Sequence, residues 1–312
     1  MLALLPLILP LFLLIAAGYA ATFTKVFDAA AARALSAFVF YFAIPIMLFR
    51  SMASMDPPGS GTSGLLVTFY GAMLAVLALG AISMRLVFTT SWREAAMLGF
   101  AGAYGNTVMI GIPVVLTVLG EAAGLPLFLI ISLHSVVMFT TVTLVMETTG
   151  GAGASLRELP LQIAKGVFAN PIIIGLVLGL ALNHLGWPLP AVVDGFAALV
   201  GQAAIPCALF ATGAALRQFS IGSALPKAAL LVVIKGIVHP ALVFALCLYV
   251  LSLPPLWAAV AVVLAATPVG VNPYLFAVRY GTAEGATATA IALSTPFSIF
   301  SITVALWALG AV

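Results

Sequence analysis

GNTVMIGIPVV, residues Gly105 to Val115, lies inside an apolar run extending from residue 94 to 119, yet it places two glycines, a proline and an asparagine within nine residues. In a helix surrounded by hydrocarbon such a stretch is costly. Proline removes a backbone donor and displaces the carbonyl four residues before it, at about 3 kcal/mol or more in a helix interior. In lipid each unpaired backbone group costs several kcal/mol more, so a break survives only where protein or water satisfies it. What satisfies this one decides how the chain folds.

The setting is a membrane. Of 312 residues, 64% are hydrophobic and 6% charged, and the mean hydropathy is +1.28, more apolar surface than an aqueous core can bury. A span needs about 20 apolar residues at the helical rise. Charged and Pro/Gly-rich punctuation divides the chain into ten such runs: 2–23, 31–53, 64–88, 94–119, 124–146, 163–184, 189–215, 226–252, 256–279 and 285–311. Periodicity does not separate these from helices buried in a soluble core, but their number and length do. The opening MLALLPLILPLFLLIAAGYA lacks a basic leader and exceeds a signal-peptide core, so it reads as the first span. The expected fold class is all-α integral membrane, with ten transmembrane helices.

Basic residues orient the spans. Lys25, Arg33, Arg85, Arg93, Arg157, Lys165, Arg217, Lys227 and Arg279 fall on the odd-numbered connections, Arg50 alone on the other side, and Lys235 within the eighth span. This distribution places the odd connections in the cytoplasm and both termini outside a multi-pass cytoplasmic (inner cell) membrane. The cations are accounted for by topology and form no dense patch, which argues against nucleic acid as a partner. Cys207 and Cys247 both lie within spans and suggest neither a disulfide framework nor a metal site.

The chain also repeats. ETTGGAGASLRELP, Glu147 to Pro160, is a polar stretch with five spans on either side, giving repeats at 1–148 and 161–312 joined by a cytoplasmic linker at 149–160. AIPIMLF (Ala43–Phe49) in the second span matches AIPCALF (Ala204–Phe210) in the seventh at five of seven positions, with an offset of 161. Five spans per repeat require the second repeat to be inverted. The fourth span's interruption then has a counterpart in the ninth, TPVGVNP (Thr267–Pro273).

Paired interruptions at corresponding places point to a binding site at the bilayer midplane. Two breaks crossing there would satisfy each other's backbone and expose half-helix N-termini, whose N–H groups suit a carboxylate. Asn106 and Asn272 each add an uncharged donor pair and an acceptor, to orient such a group or to bridge the two broken helices. A plain kinking or packing role serves for either segment alone; two matched, Asn-bearing segments favour a site.

In order and spacing, AIPIMLF, GNTVMIGIP, ANPIIIGLVLG, KGIVHPALV and ATPVGVNPYLFAVRYG resemble the auxin efflux carrier family, which includes plant PIN-type exporters and bacterial malonate carriers. The resemblance runs nearly the whole chain. It implies a 5+5 inverted repeat with a scaffold of spans 1, 2, 6 and 7, a transport domain of spans 3–5 and 8–10, and an elevator movement. It further implies crossing of the broken spans at Gly105–Asn106 and Pro268–Gly270, and a homodimer formed through spans 2 and 7. Plant members usually carry proline before the fourth-span asparagine; Gly105 stands here, and an auxin substrate is not implied. The candidate substrate-binding set is Gly105, Asn106, Met109, Pro268, Gly270, Val271, Asn272 and His134.

Lys235 lies eight residues past Lys227, roughly 12 Å deeper. Two readings stand: a stem that snorkels to the interface, or a tethered charge near the crossing that draws in an anion or replaces a coupling cation. His239, one turn on, is either a packed core histidine or part of a proton relay, and His134 in the fifth span could face the same cavity. All eight acidic residues sit near span ends, which disfavours a sodium site built from carboxylates, although carbonyls and amides at the breaks could still bind sodium.

These features point to a secondary transporter of a small organic anion, a carboxylate of auxin-like or dicarboxylate (malonate) type, working by alternating access. The alternatives are a sodium- or proton-coupled importer, or a channel or sensor. An intramembrane enzyme would need a nucleophile with its base, or a metal cluster, within the spans, and neither GxSxG nor HExxH occurs. No cofactor is expected beyond a coupling sodium ion or proton, and the partners are the anion and membrane lipid.

Overall fold

The computed structural model describes residues 4–24, 26–55, 62–150, 169–222 and 224–310, and within them the regular structure is helical apart from one isolated antiparallel bridge. The helices are α1 (Leu5–Ala21), α2 (Ala29–Ala53) and α3 (Thr62–Phe88), α4 (Trp92–Ala103), α5 (Thr107–Leu119) and α6 (Gly124–Gly150). They continue with α7 (Pro171–His184), α8 (Ala191–Leu216), α9 (Leu225–Val250), α10 (Pro255–Ala266), α11 (Asn272–Tyr280) and α12 (Glu284–Ala308). Among the described residues, α2, α3, α6, α8, α9 and α12 are long and apolar enough to cross a membrane, while α1, α5, α7 and α10 are shorter apolar helices.

Each predicted span coincides with one helix or, for 94–119 and 256–279, with a pair flanking a break. Residues 163–168 of the sixth span lie outside the described residues, as do 151–160 of the linker; α6 itself extends to Gly150.

Helix starts follow local chemistry. The Asp28 carboxylate accepts from the N–H groups of Ala30 and Ala31 at the head of α2, Ser91 Oγ accepts from Glu94 N at 3.1 Å in α4, and Asn170 Oδ1 accepts from Ile172 N at 3.0 Å in α7. Each satisfies a donor that a helix N-terminus leaves unpaired. At the end of α11, Gly281 takes φ 60°, the left-handed conformation that glycine adopts without strain.

Internal prolines are absorbed in a repeated manner. Pro45, Pro113 and Pro240 each follow a five-residue π turn, Val39–Ala43, Thr107–Gly111 and Ile234–Val238 respectively. The carbonyl displaced four residues before each proline belongs to the middle residue of that turn: Tyr41, Met109 and Gly236. Ser301 Oγ in α12 donates to the Gly236 carbonyl, so a neighbouring helix satisfies the group that Pro240 displaces.

The helices pack in two groups. In one, α1 lies along α8, and α2 lies against α7 and α8; in the other, α3 packs on α4, and α9 on α10 and α12. Small residues allow the closest approaches. A side chain on Gly18 of α1 would overlap the Phe210 carbonyl of α8, and one on Gly179 of α7 would overlap the Phe49 carbonyl of α2. Gly179 lies 161 residues after Gly18 and Phe49 lies 161 before Phe210, so the two contacts exchange under the offset of the AIPIMLF and AIPCALF motifs. Arg50 and Asp194 tie α2 to α8 at 2.7 Å, and Lys227 and Glu94 tie α9 to α4 at 2.6 Å.

Candidate functional site

The two breaks meet. α4 ends at Ala103 and α5 starts at Thr107; α10 ends at Ala266 and α11 starts at Asn272. Between them Gly105 and Val269 form the antiparallel bridge, in which Asn106 N donates to the Pro268 carbonyl at 2.8 Å and Gly270 N to the Tyr104 carbonyl at 3.0 Å. Val269 N donates to Ser294 Oγ at 3.0 Å. Two N–H groups and two carbonyls orphaned by the breaks are thus paired across the crossing. The approach needs a glycine: a Cβ on Gly105 would overlap Thr267 Oγ1 and come within 3.2 Å of Lys235 Cε and Nζ.

Both restarting helices aim their N-termini at one place. Asn106 Oδ1 caps α5 by accepting from Met109 N at 3.2 Å, and the Asn106 carbonyl accepts from Ile110 N and Gly111 N. The N–H groups of Thr107 and Val108 in α5, and of Val271 and Asn272 in α11, stand ahead of the first intrahelical bonds and have no acceptor among the described residues. All four residues line a cavity of about 580 Å³. Asn272 Nδ2 donates to Tyr104 Oη at 2.8 Å, and that hydroxyl lies 3.0 Å from Ser135 Oγ of α6. Asn272 therefore bridges the two broken passes, while the Asn106 amide nitrogen has no protein partner among the described residues.

Behind the crossing lie basic groups. Lys235 is fully buried and donates from Nζ to the Ala265 carbonyl. His134 and His239 are both buried against Phe69, with ring centroids 6.0 and 6.2 Å from it, and His134 packs on the Tyr104 ring at 4.6 Å. His134 approaches the Gly105 backbone, but no ring nitrogen of either histidine makes a hydrogen bond of normal geometry. No carboxylate pairs with Lys235 among the described residues.

The family model described as "Membrane transport protein" matches residues 4–306. The chain belongs to this family. It is 30% identical over 298 residues to a protein of Rhizobium meliloti (strain 1021) named "Putative malonate transporter", covering 95% of this chain and 93% of that one. It is 23% identical over 324 residues to "Auxin efflux carrier component 8" of Arabidopsis thaliana, covering 87% and 88% respectively. The resemblance carried by the motifs is thereby borne out, and the chain is a multi-pass membrane transport protein rather than an enzyme.

In this membrane transport protein, Gly105, Asn106, Met109, Gly270, Val271 and Asn272 line the cavity. Two candidates do not. Pro268 contributes its carbonyl to the crossing, and His134 packs on the ring of Tyr104, which itself lines the cavity. Lys235 does not snorkel; its stem bends into the crossing. Sequence reading passed over Tyr104, Ser135 and Arg279. Tyr104 and Ser135 carry no spacing signal, because they meet Asn272 only through the tertiary crossing. Arg279 was absorbed into the topology count, although as position i+7 from Asn272 it shares that residue's helix face.

Proposed function

We propose that this protein is a secondary transporter of a small organic anion, a carboxylate bound where the two broken passes cross, and that it works by alternating access. One observation carries the reading: four unpaired backbone N–H groups and the free Asn106 amide converge on a cavity bearing no acidic side chain, with buried Lys235 against the crossing. Helix N-termini and neutral amides favour an anion, and a desolvated ammonium behind them adds attraction without occupying the site.

Buried Lys235 supplies a fixed positive charge against the crossing, which favours a carrier driven by the anion's own gradient and the membrane potential, worth about 2.3 kcal/mol per charge per 100 mV. Such a carrier exports when the cytoplasm is negative. The names of the relatives, a malonate transporter and an auxin efflux carrier, support a carboxylate.

The architecture we infer is ten passes in two inverted repeats, with α1, α2, α7 and α8 as scaffold and the remaining helices as an elevator. Its support is the shared 161-residue offset of the motifs and of the Gly18–Phe210 and Gly179–Phe49 contacts, together with the paired breaks. Ser36, Gln218 and Arg279 line one end of the cavity, the end that the basic residues assign to the cytoplasm, so this conformation faces inward. The scaffold faces of α2 and α8 are the proposed homodimer contact in a cytoplasmic membrane, with both termini outside.

Counterflow of labelled carboxylates in proteoliposomes, with voltage, pH and sodium varied, tests the proposal. Asn106→Ala and Asn272→Ala are expected to weaken carboxylate binding about tenfold each while the purified proteins remain monodisperse. Unchanged binding in both variants, or no carboxylate movement by folded wild type, would overturn it.

A further inference from the structure

The cavity has a second polar end. Its lining includes one formal charge among the described residues, Arg279 near the end of α11, and no carboxylate. Asn272, Phe276 and Arg279 all line it; at i, i+4 and i+7 they form one stripe along α11, with Arg279 roughly 10 Å from Asn272 along the helix axis. Side chains on a helix lean toward its N-terminus, so the arginine stem is directed back along the stripe toward the crossing. Between the two ends the wall is aromatic, with Phe276 packed on Phe139 at a centroid distance of 4.9 Å and Phe139 stacked on Tyr104 at 5.7 Å.

Arg279 is available for a ligand. It is exposed and makes no ion pair among the described residues; its guanidinium lies over the Tyr280 ring, 5.7 Å from Cζ to the centroid. Arg93 lies at the same distance from that ring. The acid in this neighbourhood, Glu147, accepts from Tyr280 Oη at 3.1 Å. Two other basic residues of this side are engaged elsewhere: Lys227 pairs with Glu94, and Arg217 lies over the Phe23 ring at 4.3 Å.

We propose that Arg279 holds a second anionic group of the substrate, so that the cavity selects dicarboxylates over monocarboxylates. One carboxylate takes the helix N-termini and Asn106, the apolar midsection lies along Phe139 and Phe276, and the other carboxylate meets the planar guanidinium, whose paired donors match its geometry. This rests on the carboxylate reading of the crossing and adds to it a specificity-determining residue.

The test is competition against a labelled carboxylate in proteoliposome counterflow, using pairs matched in chain length, succinate with butyrate and glutarate with valerate, together with malonate. Wild type is expected to favour the dicarboxylate of each pair by about tenfold or more. Arg279→Gln is expected to abolish that preference by weakening the dicarboxylate more than the monocarboxylate; Arg279→Lys, which keeps the charge without the fork, retains part of it. Asn106→Ala weakens both members of a pair. A preference for monocarboxylates in wild type, a dicarboxylate preference surviving in Arg279→Gln, or an equal loss of both members in that variant overturns the assignment and leaves the carboxylate reading standing. Failure of wild type to take any carboxylate sinks both.

Discussion

Lys235 is the residue on which the chemistry turns. Its stem is long enough to reach an interface, yet it is fully buried and its ammonium donates to the Ala265 carbonyl beside Gly105. A buried cation without a carboxylate partner costs stability, and replacing such a group with an apolar side chain of similar length is often neutral or stabilising. Lys235→Met is therefore expected to keep or raise the thermal unfolding midpoint in detergent while cutting carboxylate affinity at least tenfold, the scale of one charge-assisted contact. A lower midpoint with unchanged affinity would make the lysine a structural peg instead. The sequence could show this residue's depth but not its direction, because the π turn at Ile234–Val238 sets the angle at which the side chain leaves α9. His134 illustrates the same limit: its position in the fifth span was plain, but which face of α6 meets Tyr104 depends on packing.

At the scale of elements, the breaks were legible and their repairs were not. Gly105, Asn106, Pro268, Gly270 and Asn272 are local punctuation, and punctuation can be read from a linear string. The Gly236 carbonyl, by contrast, is satisfied by Ser301 from α12, 65 residues away, and Asn272 is held by Tyr104, 168 residues away. Such pairs exist only after folding. Ser301→Ala is expected to leave the Gly236 carbonyl unpaired at a cost of about 1–3 kcal/mol, seen as a lower unfolding midpoint. Ser298→Ala supplies the contrast, because Ser298 Oγ bonds the Thr295 carbonyl of its own helix at 2.7 Å and its loss should be milder. Equal midpoints for the two variants would show that the π turn satisfies the displaced carbonyl without help.

At the scale of the whole molecule, the exchanged glycine contacts offer a direct test of repeated architecture. Gly18→Ala and Gly179→Ala each force a methyl into a backbone carbonyl of the facing helix, and overpacking of this kind costs about 1–3 kcal/mol. The two should lower the unfolding midpoint by similar amounts; a loss in one and none in the other would mean that the 161-residue relation is coincidental at this contact. Placing Lys235 on the moving side of the proposed cycle has an electrical consequence. With its ammonium protonated and the Arg279 guanidinium carried on the same moving side, the carrier loaded with a dicarboxylate crosses the field nearly neutral, and the empty carrier is the charged species. The voltage then acts on the return stroke rather than on the delivery stroke, so a negative cytoplasm pulls the unloaded protein back to its inward-facing form and readies it for the next substrate.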